Sequence, residues 1–283
     1  MSNLDIFESV FKSALRNPYH HEKVNITNIL LITDLEDSLP DFEQKMQSYL
    51  QHALDLSDKK WKSLGRSDYR QWEKLKELID DFKPDLIISY RLLRVRSRVQ
   101  TSLGVYLDTL TQETQLPILV MPRPESPFYD RANLDLKSVV LATEHKFDDH
   151  QLVNYGVYFT QQGGDLTLLH IEDEDTFKYY TSMIEKIPEV DSPVAIEALK
   201  NKLMEEPMHY MDSVEEVLKE QRADIKIKKI ADFGHLITYY QNLIDQNPID
   251  LLVFRTKDDT QLAMHSLGHS LLIEFKEVTA ILI

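Results

Sequence analysis

Residues Asn247 to Phe254 read NPIDLLVF, and residues Lys83 to Ser89 read KPDLIIS. In both, a proline and an aspartate lead into a short, nearly continuous apolar run. Such a run suits a strand of a parallel sheet, whose two faces are both covered by helices. Working outward, the first half holds two more runs of this kind, Asn28 to Asp34 (NILLITD) and Pro117 to Met121 (PILVM). The second half holds Ser138 to Thr143 (SVVLAT), Asp165 to Ile171 (DLTLLHI), Asp224 to Ile230 (DIKIKKI) and Thr279 to Ile283 (TAILI). Helical pattern separates them, and strands that alternate with helices predict a parallel sheet with right-handed crossovers.

The order of these pieces repeats. SLGVYLDTL from Ser102 parallels SLGHSLLIEF from Ser266, PILVM parallels TAILI, and NILLITDLEDS from Asn28 parallels SVVLATEHKFDD from Ser138. The sequence therefore reads as an internal duplication. Pro122, Pro124 and Pro127 interrupt the pattern between the halves. The expected division is a first domain over 1–124, a linker over 125–136 and a second domain over 137–283. Both are doubly wound, Rossmann-like α/β domains. The first is reduced: from Phe42 to Leu78 only helical pattern is found, so its sheet is expected to have three strands, against five in the second. Between the second and third strands of the second half lies an acidic excursion, Glu172 to Gln221. Pro188, Pro193 and Pro207 are expected to cut it into short helices. Leu4 to Leu15 reads as one more amphipathic helix.

Composition narrows the function. None of the 283 residues is cysteine, which excludes disulfides, thiol catalysis and Cys-based metal sites. No basic-plus-apolar leader opens the chain, and no apolar run approaches the ~20 residues of a membrane helix, so a cytoplasmic protein without membrane contact is expected. The net charge of −15 falls almost wholly after Pro124, where 15 Lys and Arg face 29 Asp and Glu. A surface of that sign repels phosphate backbones, so no nucleic-acid partner is expected.

The second half resembles a universal stress protein domain over its whole length, and the first half resembles a shortened one. The resemblance rests on an acidic residue closing the first strand (Glu144, and Asp34 in the first half), a His-Val-like pair in the second (His170 and Ile171), and a glycine after the third (Gly234). It implies two adenine nucleotide alpha hydrolase-like domains in tandem. It also implies that their last strands, Pro117 to Met121 and Thr279 to Ile283, pair within the chain as an intramolecular pseudo-dimer, with a homodimer as a further option.

Nucleotide-binding members of that family carry Gly-x2-Gly-x9-Gly and then Ser or Thr after the fourth strand, where bare backbone cradles phosphates. Counting back from Gly268 puts Arg255 and Asp258 at the first two glycine places and His269 at the Ser/Thr place. The corresponding stretch of the first half, RLLRVRSR from Arg91 to Arg98, contains no glycine at all. The resemblance thus implies a degenerate site: ATP and AMP are not expected as cofactors.

Ligands of such sheets sit beyond the carboxyl ends of the strands, where the strand order reverses. That rule gathers Glu144, Arg255, Asp258 and His269 as candidates in the second half, to which the resemblance adds His170, Ile171 and Gly268, and Asp34, Arg91 and Arg94 in the first. Arg91 and its neighbours either receive an anion or an acidic surface, or Arg91 simply pairs with Asp34. His265 and His269, four apart, could join His145 or Glu144 around a divalent metal, yet no HExxH pattern accompanies them and no metal is expected. His170 reads as a hydrogen-bonded strand-end histidine rather than an acid/base. No nucleophile elbow, Walker sequence or redox pair is present.

The expected function is a non-catalytic stress-response or regulatory protein that works by binding a protein partner or a small ligand. Two alternatives stand beside it: an AMP or ATP sensor with an altered phosphate site, and a metal-assisted hydrolase at His145, His265 and His269.

Overall fold

Each of the eight runs forms a strand; seven are buried in the sheet, where backbone groups find no partner but another strand, and the strand of the eighth, at the sheet edge, has no buried residue. The computed structural model describes residues 18–35, 39–93, 103–127, 129, 135–143, 149–255 and 266–283. The amphipathic stretch Leu4 to Leu15 lies outside them. In chain order the elements are β1 (Asn28–Ile32), α1 (Leu39–Leu50), β2 (Lys60–Leu64), α2 (Trp72–Phe82), β3 (Leu86–Tyr90), α3 (Val105–Glu113) and β4 (Ile118–Met121). There follow β5 (Ser138–Thr143), α4 (His150–Phe159), β6 (Asp165–Asp173), α5 (Glu174–Ile184), α6 (Ser192–Gln221) and β7 (Lys226–Gly234). The chain closes with α7 (Leu236–Gln246), β8 (Leu251–Phe254), α8 (Ser266–Glu274) and β9 (Ala280–Leu282).

The strands make one nine-stranded sheet in the order β2-β1-β3-β4-β9-β8-β5-β6-β7. All neighbours are parallel except β4 and β9, which pair antiparallel with Leu119 opposite Ile281. The two last strands of the halves therefore join them into one sheet, and each covers an edge that the other would leave open. The strand order reverses between β1 and β3 in the first half and between β5 and β8 in the second.

The two stretches quoted first do the same work in both halves. Oδ2 of Asp85 accepts from the amides of Thr27 and Asn28 at 2.8 Å each. Oδ2 of Asp250 accepts from the amides of Lys137 and Ser138 at 3.0 and 2.8 Å. Each aspartate thus clamps the start of the neighbouring first strand and fixes its register. Burial, working against those amides, holds the Asp250 carboxyl above the usual carboxylate range. On the other side of β5, α4 packs so closely that a Cβ on Gly156 would meet Leu141 Cδ2 at 2.3 Å.

Two expectations need correction. The first half has four strands, not three: β2 lies inside the stretch read as helical. Its sequence, KWKSL, carries no apolar run because it is an edge strand with only Leu64 buried. The excursion holds one short helix and one long one, since α6 runs for 30 residues straight through Pro207. Pro193 sits in its first turn, where a missing amide costs nothing, under a cap from Asp191. An interior proline costs roughly 3 kcal/mol. Here the burial of Pro207, Tyr210, Met211, Val214 and Leu218, spaced to face β6 and β7, offsets it. No helix among the described residues is long and apolar enough to cross a membrane.

Candidate functional site

In the second half the crevice lies beyond β5 and β8. Arg255 directly follows β8, and its Nη1 lies 3.3 Å from Oδ2 of Asp149. Asp149 also caps α4, its Oδ1 accepting from the amide of Leu152 at 2.9 Å. One carboxylate therefore fixes the helix start and holds Arg255, which was expected at the first glycine place. Beside it, Nδ1 of His150 lies 3.3 Å from the Tyr210 hydroxyl on α6.

The chain ahead of β1 crosses over this crevice. The buried Tyr19 donates its hydroxyl to Asn154 Oδ1 at 2.6 Å, and the Glu22 amide reaches the same oxygen at 3.1 Å. The Tyr19 amide donates to Ser213 Oγ on α6 at 3.1 Å. His21 Nδ1 lies 2.9 Å from the Tyr19 hydroxyl. Burial, aided by the positive charge of Arg222 and opposed by a bond to Asn154, holds the His21 ring below its ordinary value. Between this strap and α4 lies an open cavity of about 510 Å³, with His20, Glu22, Lys23, Asp149, His150 and Arg255 in its walls. Its charges are mixed, and the arginine already has a counter-ion.

Of the candidates in this half, His170 is buried within β6 with Nε2 2.9 Å from Glu172 Oε1, and Ile171 beside it is buried too. That places His170 in the hydrogen-bonded strand position, with a carboxylate of its own strand as partner. Gly268 and His269 lie in the first turn of α8. Glu144, His145, Asp258, His265 and the side chain of His269 are outside the described residues. Among the described residues no three His, Asp or Glu side chains are placed to hold a metal ion.

The first-half crevice, beyond β1 and β3, is organised differently. Tyr90 donates its hydroxyl to Asp34 Oδ1 and accepts from the Asp34 amide at 2.9 Å, with Thr33 Oγ1 also 2.9 Å away. Burial and the adjoining carboxylate raise the Tyr90 hydroxyl well above its ordinary value, so it stays a donor. Arg91 does not reach Asp34. The next residue, Leu92, sits at a φ of 62°, a left-handed conformation that costs a side-chain-bearing residue roughly 1–2 kcal/mol. The buried Arg91 reaches instead into the other half, where Nε donates to the Leu272 carbonyl at 3.2 Å. Its Nη2 donates to the carbonyls of Phe275 and Val278 at 2.9 and 3.0 Å. These lie at and just past the C-terminal end of α8, where orphan carbonyls and the helix dipole favour a cation. The pairing of Arg91 with Asp34 considered from the sequence is thus replaced by a staple between the halves. Arg94 lies outside the described residues.

Sequence reasoning missed His20, Lys23, Asp149 and His150. Asp149 carried the one readable signal, an aspartate just before a helical pattern, as an N-cap requires. The strap carried none.

The fold with its paired last strands and two crevices at strand reversals is of the universal stress protein type. Among solved structures the chain is similar to a universal stress protein from Archaeoglobus fulgidus DSM 4304, with a TM-score of 0.53 and 13% identity, over 92% of this chain and 98% of that one. It is also similar to a functionally unknown protein from Pseudomonas aeruginosa PAO1, with a TM-score of 0.50 and 10% identity, over 91% of this chain and 92% of that one. Neither the family models nor the curated protein sequences give a match to this chain.

Proposed function

We propose that this protein is a non-catalytic binding protein of the stress-response or regulatory kind, working through its surfaces or through a small ligand other than ATP. One observation carries the reading: Arg255, at the place where a phosphate cradle needs bare backbone, is already paired with Asp149. A polyphosphate entering there would have to displace that carboxylate and would meet Glu22 in the opposite wall. In the first half, Asp34 is held by Tyr90 and Arg91 is spent on carbonyls, so among the described residues the arginine that ends β3 is not free for a phosphate. The mixed walls of the second-half cavity suit a small polar or zwitterionic molecule better than a triphosphate. A ligand that prefers the native state raises Tm. A thermal-shift series with ATP, AMP and phosphorylated metabolites at millimolar concentration is therefore expected to show no shift with ATP, and a parallel assay no phosphate release. A saturable ATP-dependent rise in Tm at micromolar concentration would contradict the proposal.

A further inference from the structure

The helices α5 and α6 form a hairpin that leaves the body of the protein. No side chain of α5 is buried, and in α6 the first buried residue is Pro207, half-way along the helix. The base of the hairpin is anchored by Phe177, whose ring centroid lies 4.9 Å from that of Phe233 at the end of β7. Its far end is closed by a turn in which Ser192 Oγ reaches the Ile184 carbonyl at 3.5 Å. Toward that end stand Met183, Ile187, Val190 and Val194, with Tyr179 and Tyr180 mid-way along α5, all exposed by 38 to 63%. Of the seven large apolar side chains exposed among the described residues, only Val105 lies elsewhere. Single exposed apolar residues need no explanation, but a concentration on an element that buries nothing marks a surface built to be covered.

The charge around it selects the occupant. From residue 174 to 197 the hairpin carries six carboxylates against two lysines. Lys178 is paired with Glu174 at 2.9 Å. Glu185, Glu189 and Glu197 are exposed, and none forms an ion pair among the described residues. A second copy of this chain would set those carboxylates against their own kind, which is strongly unfavourable at an interface. We infer that the tip of the α5–α6 hairpin is a docking surface for a basic amphipathic helix of another protein. The apolar face of such a helix would cover Met183, Ile187 and their neighbours, and its lysines or arginines would meet Glu185 and Glu189. The surface stands apart from both crevices, so this inference and the reading of the crevices can fail separately.

The probe is a synthetic amphipathic peptide of about five helical turns, with leucine along one face and lysine along the other. Its control keeps the leucine face and replaces every lysine by glutamate. Fluorescence anisotropy is measured with the full chain and with the double variants Met183→Ser/Ile187→Ser and Glu185→Lys/Glu189→Lys. All four positions are exposed, so circular dichroism is expected to show unchanged folding. The basic peptide is expected to bind, each double variant to weaken it by roughly tenfold or more, and the acidic control not to bind. Failure of the basic peptide to bind, or binding that either double variant leaves unchanged, would overturn the inference. So would a concentration-dependent dimer in sedimentation that Met183→Ser/Ile187→Ser abolishes.

Discussion

Arg91 shows at residue scale how a side chain suited to a ligand can be taken up by the fold. Burial alone lowers its guanidinium to about 10, which still leaves it protonated at neutral pH. Its charge is offset by three carbonyls rather than by a carboxylate, and its Nη1 finds no partner among the described residues. Arg91→Ala would orphan carbonyls at the end of α8 and open a cavity between the halves. The expected loss is about 3 kcal/mol in urea unfolding, with Arg91→Lys recovering only part of it because an ammonium cannot span the same three acceptors. A loss below about 0.5 kcal/mol would show that the staple contributes nothing. The arginine itself was legible as a strand-end cation. Its target was not, because the carbonyls it caps lie more than 180 residues further on.

At the scale of elements, the strap ahead of β1 is tied to α4 and α6 by Tyr19, and the histidine bonded to the Tyr19 hydroxyl is His21. A base whose folded value lies below its unfolded value binds fewer protons in the native chain. Stability from this group is therefore present above the unfolded value near 6.5 and is lost as the pH falls through it. The groups facing it are Tyr19, Asn154 and Arg222, of which only Arg222 is charged at neutral pH. Urea unfolding at about pH 7 and about pH 5.5 is expected to show a larger drop for the native sequence than for His21→Gln. Equal drops would place the proton-sensitive contact elsewhere. Seven strands were legible as apolar runs buried within the sheet, and the edge strand β7 as the alternating run DIKIKKI, although no residue of β7 is buried. β2 was not, because an edge strand needs no such run and KWKSL has none. α6 was misread at Pro207, where packing against the sheet overrides the local cost of proline. The strap escaped notice because its anchors are long-range, with Tyr19 and Asn154 135 positions apart.

At the scale of the whole molecule, each half presents a crevice where its strand order reverses, and the antiparallel pairing of β4 with β9 joins the strands of both halves into one sheet. The fusion is also what brings Arg91 within reach of α8. In the other crevice Arg255 is already matched to Asp149. Arg255 itself was readable directly from the sequence as the residue that follows the strand. What lines the crevices was readable only in part, since Asp149 shows only as an N-cap and the strap carries no motif. The most direct measurement is the nucleotide content of the protein as purified, released by heat and quantified by chromatography against protein concentration. Far less than one adenine nucleotide per chain is expected; a content close to one per chain would contradict the proposed reading of both crevices.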